Sequence, residues 1–142
     1  MEIKLSFLPE RPLKPREKGL TMMMDKGLSI REVENFVDNC ANVTDLVKLG
    51  FGTAVVTAQT LETKIKIYHK ANIRVYLGGT LFEAFVIRGM FDDYLKLIEK
   101  LKLDMAEISD GSMYMPHQQK LEYINRLSKY VTVLSEVGSK QK

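Results

Sequence analysis

From residue 20 onward, short apolar runs alternate along the chain with amphipathic segments. A short apolar run bounded by glycine or polar residues is typical of a buried strand, whereas apolar residues three or four positions apart predict a helix. The pattern predicts five strands, at residues 20–24, 46–52, 73–77, 106–109 and 131–137.

Helical segments separate these strands, and four are predicted. Ser29 and Glu32 form a capping box that predicts the start of the first helix. Thr60 begins the second. The third is a longer stretch that we expect to break near Gly89. Pro116 favours the start of the fourth.

Alternating strands and helices imply parallel strand pairing through right-handed crossovers. On the residues alone, the pattern suits either an open doubly wound sheet or part of a (β/α)₈ barrel. It divides the chain into residues 1–19, an extended leader rich in proline and basic residues, and residues 20–142, a β/α domain. The bases of the leader are expected to be solvated, with a subunit or phosphate contact as the alternative.

Composition excludes several classes of function. The 142 residues carry a net charge of +3, with acids and bases mixed and without a basic stripe, which argues against nucleic acid. No apolar run approaches the roughly 20 residues that cross a bilayer, and the N-terminus lacks the apolar segment of a signal peptide. With Cys40 as the single cysteine, we expect a protein of the cytoplasm with no membrane partner.

Polar residues stand at the carboxyl end of every predicted strand, the edge where parallel α/β folds place their working residues. They are Asp25 and Lys26; Lys48; Gly78, Gly79 and Thr80 with Glu83; Glu107 with Ser109 and Asp110; and Glu136 with Lys140. Strand side chains alternate between faces, so Lys48 and Glu107 are expected to point inward, where a charge needs a partner, a metal or a ligand.

These residue types indicate a class of chemistry. Carboxylates with a hydroxyl and no Cys/His cluster favour Mg²⁺ over Zn²⁺. Lysines beside them favour an anionic substrate, and one lysine can donate a proton. Gly78, Gly79 and Thr80 form either a tight turn or a phosphate cradle at a helix start. The residues thus predict a barrel-type enzyme or a binding protein for a small anion, with Mg²⁺.

Five blocks at these strand ends, in the right order, resemble the phosphosulfolactate synthase family. The blocks begin with Gly19-Leu20-Thr21 through Asp25-Lys26-Gly27, and continue with VKLGFGT at 47–53, GGTLFE at 78–83, EISDGS at 107–112 and SEVG at 135–138. The resemblance implies a (β/α)₈ (TIM) barrel and a carbon–sulfur lyase that adds sulfite to phosphoenolpyruvate, giving (2R)-phospho-3-sulfolactate. That reaction belongs to coenzyme M biosynthesis in some methanogens and to sulfolactate formation in some bacteria.

The resemblance also implies roles for residues. Sulfite attacks C3 of phosphoenolpyruvate, Mg²⁺ stabilises the aci-carboxylate that develops, and a lysine protonates C2. The implied catalytic residues are Lys140 as general acid, Lys48 and Glu107. The implied metal ligands are Asp25, Glu107, Asp110 and Glu136. The implied substrate-binding residues are Lys26, Gly78, Gly79, Thr80, Ser109 and Ser112.

Length sets the remaining expectations. A complete barrel needs roughly 250 residues, so we expect its N-terminal portion, truncated after about five strands and four helices. Unpaired edges on the first and fifth strands favour a homo-oligomer, and the activity of this chain by itself stays open. The alternatives are a non-catalytic or stress-related relative and another phosphoenolpyruvate or sugar-phosphate enzyme on the same barrel.

Overall fold

The computed structural model describes residues 5–138 as a parallel sheet with helices packed on one face. The five strands are β1 (Met22–Asp25), β2 (Leu46–Leu49), β3 (Arg74–Leu77), β4 (Met105–Ile108) and β5 (Thr132–Ser135). The six helices are α1 (Ile30–Cys40), α2 (Thr53–Val56), α3 (Ala58–Lys70), α4 (Gly79–Val86), α5 (Phe91–Leu101) and α6 (His117–Leu127), and a short 3₁₀ helix spans Ala41–Val43.

The strand order decides between the two folds that the hydrophobic pattern left open. All four pairings are parallel, and the strands lie side by side in chain order, β1-β2-β3-β4-β5. A doubly wound sheet reverses its order at a switch point, whereas a β/α barrel continues in one direction. The fold is therefore that of a partial barrel, and within residues 5–138 the sheet is not closed.

Every predicted strand is present, each within the predicted segment or one residue from it. The predicted capping box is confirmed, because the Ser29 side chain accepts from the Glu32 amide and Glu32 accepts from the Ser29 amide. The predicted break near Gly89 is also confirmed, since α4 and α5 are separate helices. The prediction of four helices was too low, because that break yields two helices and the short α2 precedes α3.

The two faces of the sheet differ in what they bury. The helix-side face carries the main core, to which the central strands contribute Val47, Leu49, Val75, Leu77, Ala106 and Ile108. The opposite, inner face has a small apolar layer of Leu46, Tyr76 and Met105, with Leu134 packed against it. Above that layer, toward the carboxyl ends of the strands, the inner face becomes polar.

The leader is anchored to the amino edge of the sheet. The buried Arg16 donates to Asp45 Oδ1 at 2.6 Å, and Lys14 Nζ donates to the carbonyls of Ala41 and Thr44 at 3.0 and 2.7 Å. The expectation of solvated bases is therefore wrong for Arg16, because Asp45 provides a buried counter-charge at the start of β2. No helix in the described part of the chain is long and apolar enough to cross a membrane.

Candidate functional site

A lysine and a glutamate form an ion pair on the inner face near the carboxyl edge. Lys48 Nζ lies 2.7 Å from Glu107 Oε1, and the two side chains are 18% and 8% exposed. Lys48 is on β2 and Glu107 on β4, so the pair spans β3. The prediction that both side chains point inward and need a partner is confirmed, because each neutralises the other.

Tyr76 lies on β3 between the strands that carry the ion pair. It is the register partner of Lys48 and belongs to the inner apolar layer. Burial, followed by the negative charge of Glu107, raises the pKa of Tyr76 to about 12. The phenol therefore stays protonated at neutral pH and is an uncharged neighbour of the ion pair.

Two glycines allow the start of α4 to approach this pair closely. A Cβ on Gly79 would lie 2.4 Å from Ser109 Oγ and 3.0 Å from Glu107 Oε1. A Cβ on Gly78 would lie 3.0 Å from the Cε atom of Lys48. The backbone can therefore enter the space between β2 and β4 only without side chains at these positions.

The amides of these glycines bind protein groups. Gly79 N–H donates to Glu107 Oε1 at 3.0 Å, and Gly78 N–H donates to the Leu49 carbonyl at 3.0 Å. Of the two interpretations of this segment, the structure supports the tight turn directly. The role of Gly78, Gly79 and Thr80 in binding phosphate stays a prediction. Thr80 is half-buried and follows the two glycines whose amides already donate to protein groups.

A second carboxylate, Glu83 on α4, holds the loop after β4. Glu83 Oε1 accepts a short hydrogen bond from Ser109 Oγ and another from Gly111 N–H at 3.2 Å, while Oε2 accepts from Ser112 N–H at 2.9 Å. Ser109 is fully buried. The predicted substrate-binding groups of Ser109 and Ser112 therefore contact Glu83 in this structure, and their contact with substrate stays a prediction.

Asp25, a predicted metal ligand, lies on the other face of the sheet. It is fully buried on the helix side and pairs with Lys64 Nζ of α3 at 2.7 Å. Tyr68 Oη donates to its Oδ2 at 3.0 Å, and the Gly27 and Leu28 amides donate to its Oδ1 at 2.8 Å. These four donors organise the turn after β1, and they do not bring Asp25 to Glu107.

Lys64 and its neighbours set the protonation of this cluster. Burial by itself would raise the pKa of Asp25, but the hydrogen bonds from Lys64, Gly27 and Leu28 and the charge of Lys64 outweigh it, so the pKa is lowered. Burial, then the charge of Asp25 and their hydrogen bond, raises the pKa of Tyr68. The cluster is thus an ionised carboxylate with a neutral phenol.

The loops after β4 and β5 are joined by Lys120 of α6. Its Nζ lies 2.8 Å from Asp110 Oδ1 and 2.6 Å from the Glu136 carbonyl oxygen. Asp110 thus has a cation partner, and Glu136 is held by its backbone where β5 ends. Lys140, the predicted general acid, lies outside the described residues.

Lys26 follows β1 and is exposed, with its ammonium 5.5 Å from the centre of the Phe51 ring. Phe51 stands in the loop after β2, so this contact relates the first two strand ends. The exposed Lys26 ammonium can bind an anion without breaking an ion pair. The Lys48 ammonium, in contrast, already pairs with Glu107.

The predicted Mg²⁺ site stays a prediction. Within residues 5–138, no three His, Cys, Asp or Glu side chains come together as a metal cage. Glu107 faces the inner side and uses Oε1 for both Lys48 and Gly79, which leaves Oε2 as its candidate ligand atom. Because Mg²⁺ commonly binds one or two carboxylates and completes its shell with water and substrate oxygens, this donor set suits a metal that arrives with an anionic substrate.

A separate cavity lies elsewhere among residues 5–138. It measures about 500 Å³ and lies at the amino edge of the sheet, where Lys14, Arg16, Asp45, His69 and Arg74 are among its lining residues. The polar groups at the carboxyl edge stand on an open face instead. That open face is the candidate site, since parallel α/β folds place their chemistry at the carboxyl ends of strands.

Two buried lysines with structural contacts were missed by the sequence reasoning. Lys64 shares the apolar face of α3 with Leu61, Ile65 and Tyr68, and Lys120 lies one turn before Ile124 on α6. A lysine at a helix position that the 3.6-residue period assigns to the core predicts a buried acid or carbonyl partner. That signal was present in the sequence.

The chain matches known proteins over nearly all of its length. Residues 9–142 match the family model of (2R)-phospho-3-sulfolactate synthase (ComA). A phosphosulfolactate synthase of Methanocaldococcus jannaschii is 40% identical over 126 residues, which are 87% of this chain and 50% of that protein. One of Bacillus subtilis is 35% identical over 133 residues, 94% of this chain and 52% of that protein. The chain thus spans about half the length of the curated relatives it matches.

Proposed function

Because this chain belongs to the (2R)-phospho-3-sulfolactate synthase family, we propose that its protein adds sulfite to phosphoenolpyruvate to form (2R)-phospho-3-sulfolactate. The observation that carries the proposal is the Lys48–Glu107 pair, which stands on the inner face within two of the sequence blocks typical of the family. It supports the proposal because it supplies a cation and a carboxylate on the face that we propose receives the small anionic substrate.

The reaction forms one carbon–sulfur bond and moves one proton. The sulfur lone pair of sulfite attacks C3 of phosphoenolpyruvate, and the C2–C3 π electrons move onto C2 and its carboxylate. A proton then adds to C2, and the phosphate stays attached. Bound Mg²⁺ would stabilise the charge that develops on the substrate carboxylate.

The residues of the chain have distinct proposed tasks. Lys26 attracts the substrate anions as an exposed point charge. Lys48 contacts the substrate while Glu107 holds its ammonium in place, and Glu107 Oε2 would bind the Mg²⁺. Lys140 donates the proton to C2. Asp25 and Asp110, bound by Lys64 and Lys120, would orient the loops around the substrate.

The test is sulfite-dependent consumption of phosphoenolpyruvate, measured with Mg²⁺ and with a chelator. We expect turnover only with metal, and we expect Lys140→Ala to lower kcat by about 10²-fold or more, the usual contribution of a general acid. Lys129→Ala, at an exposed position, is the matched control and should be unchanged. Turnover that is unchanged by the chelator would contradict the proposed need for Mg²⁺. Full activity of Lys140→Ala would contradict the proposal that Lys140 donates the proton.

The same assay separates the alternatives. A non-catalytic relative would bind phosphoenolpyruvate without consuming it at any protein concentration. A different enzyme of the same barrel type would consume it with another nucleophile and not with sulfite.

Self-association is proposed from the sheet edges. Within residues 5–138, β1 and β5 each pair on one side, and Met22 on β1 is 43% exposed. Such edges favour pairing with another chain. Sedimentation of the 16.3 kDa chain should show a multiple of that mass, and a monomer at all concentrations would refute the proposal.

A further inference from the structure

The Glu83 carboxylate fills a pocket of hydrogen-bond donors in the loop after β4. Its partners are one hydroxyl, of Ser109, and two backbone amides, of Gly111 and Ser112. Successive amides and a hydroxyl converging on one point form a nest for an anion. In this protein the anion in the nest is a side chain of the chain itself.

Among the residues that the structure describes, this buried carboxylate has no neighbouring cation. Glu83 is 4% exposed, and none of the ion pairs between described residues includes it. A buried carboxylate without a cation is costly unless its oxygens accept hydrogen bonds. The three donors satisfy that need, so the loop and Glu83 require each other.

The chemistry of the partners selects glutamate over glutamine. All three partners donate, and a carboxylate only accepts. A glutamine would turn its NH₂ group toward one of these donors, so that one contact would become a repulsion between two donors. The position therefore demands charge as well as size.

The helix that carries Glu83 also contacts the catalytic pair. The first residue of α4, Gly79, donates to the oxygen of Glu107 that Lys48 binds. One turn later, the Glu83 carboxylate accepts from Ser109, which follows the last residue of β4 and stands two positions after Glu107. The helix thus holds β4 at the Glu107 carboxylate and holds the exit loop of β4 at residues 109–112.

We propose that Glu83 is a positioning residue: by filling the donor nest of residues 109–112, it docks the start of α4 against β4 and keeps Glu107 opposite Lys48. The inference rests on the proposed function where it concerns turnover. It acts through Glu107, and Glu83 itself does not touch the substrate.

The experiment compares Glu83→Ala, Glu83→Gln and the control Glu122→Ala, an exposed glutamate of α6. We expect both Glu83 variants to lower kcat by about 10- to 100-fold, as removal of a supporting hydrogen-bond partner does, with KM changed less than about threefold. Acetate replaces the atoms that Glu83→Ala removes, so it should restore part of kcat, whereas neutral acetamide should not. A general loss of stability would not respond to acetate in this way.

A readout without turnover accompanies the assay. The amide proton of Gly79 reports its hydrogen bond to Glu107, and those of Gly111 and Ser112 report the nest. All three resonances should shift in Glu83→Ala and return with acetate. If the unmodified chain, which spans about half the length of its relatives, does not consume phosphoenolpyruvate with sulfite, these resonances decide the role of Glu83 by themselves. An unchanged Gly79 resonance, equal effects of acetate and acetamide, or kcat equal to the Glu122→Ala control would overturn it.

Discussion

Lys48 on β2 and Glu107 on β4 meet across the intervening strand β3, with 2.7 Å between Nζ and Oε1. They stand 59 positions apart in sequence. The contact requires that β2, β3 and β4 lie side by side and parallel, with both residues on the inner face. It is therefore the most direct sign that the fold builds a polar site at the carboxyl edge.

Removing one partner of this pair should cost both activity and stability. Because both side chains are mostly buried, Glu107→Gln or Lys48→Met should lower the free energy of unfolding by about 1 to 3 kcal/mol and abolish most turnover. Urea denaturation measures the first effect. The double variant tests the contact itself. Its loss of unfolding free energy should be smaller than the sum of the losses in the two single variants, and strict additivity would show that the two residues do not interact.

Gly79→Ala should be destabilising, although alanine is normally the better helix former. The added Cβ would lie 2.4 Å from Ser109 Oγ and 2.7 Å from Ser109 Cβ, so α4 must move away from β4. We expect a loss of about 1 to 3 kcal/mol and a shifted Glu107 environment. Thr80→Ala at the next position is the control. A Gly79→Ala protein with an unchanged or higher melting temperature would show that the close approach is not required.

Asp25 should stabilise the fold through its charge, with a defined pH dependence. Its pKa is lowered in the folded state, so its contribution is fully present above the unfolded pKa of about 3.9 and is lost as pH falls through the folded pKa. Asp25→Asn leaves Lys64 buried without an anion and should cost about 3 kcal/mol at neutral pH.

The measurement for Asp25 is the free energy of unfolding from pH 7 down to pH 2. The variant should lie below the unmodified protein at neutral pH, and the two curves should converge in acid. Asp38→Asn, an exposed carboxylate of α1, should change stability by less than about 0.5 kcal/mol. Curves that stay parallel would mean that the Asp25 charge does not contribute.

Arg16 should hold the leader against the amino edge of the sheet. It donates to Asp45 and to the carbonyls of Pro12 and Asn42. Arg16→Ala should therefore cost about 1 to 3 kcal/mol, while Arg31→Ala at an exposed position of α1 should cost little. Proteolysis within residues 5–19 should become faster in Arg16→Ala alone. Equal cleavage of both variants would show that the leader is held by other contacts.

Lys120 should couple the loops after β4 and β5. Since its ammonium binds Asp110 and the Glu136 carbonyl, Lys120→Met should speed amide hydrogen exchange in residues 110–112 and 136–138 together. Under the proposed function it should also lower kcat, because Lys140 follows the second loop. Lys129→Met is the matched control. Faster exchange in one loop alone would argue that Lys120 supports that loop without coupling the two.

The sequence by itself determined the order and type of the elements other than the short α2, and the inward direction of Lys48 and Glu107. These follow from local rules: the two- and 3.6-residue periods, the capping box of Ser29 and Glu32, and the alternation of side chains along a strand. The sequence also identified the family, because each of the five blocks that are typical of it is a short contiguous segment.

Tertiary structure decided which polar strand-end residues meet. Asp25 looked equivalent to Glu107 in the sequence, yet it shares the helix-side face with Met23 and is neutralised by Lys64. A shift of one residue in where a strand ends reverses the face on which a side chain lies. Glu83 reaches the donors of residues 109–112 because α4 packs against β4. Glu83 and its partner Ser109 are 26 positions apart in sequence. Local pattern gives the face of each element, whereas a buried charge finds its partner only when the elements pack, because the partner comes from another element.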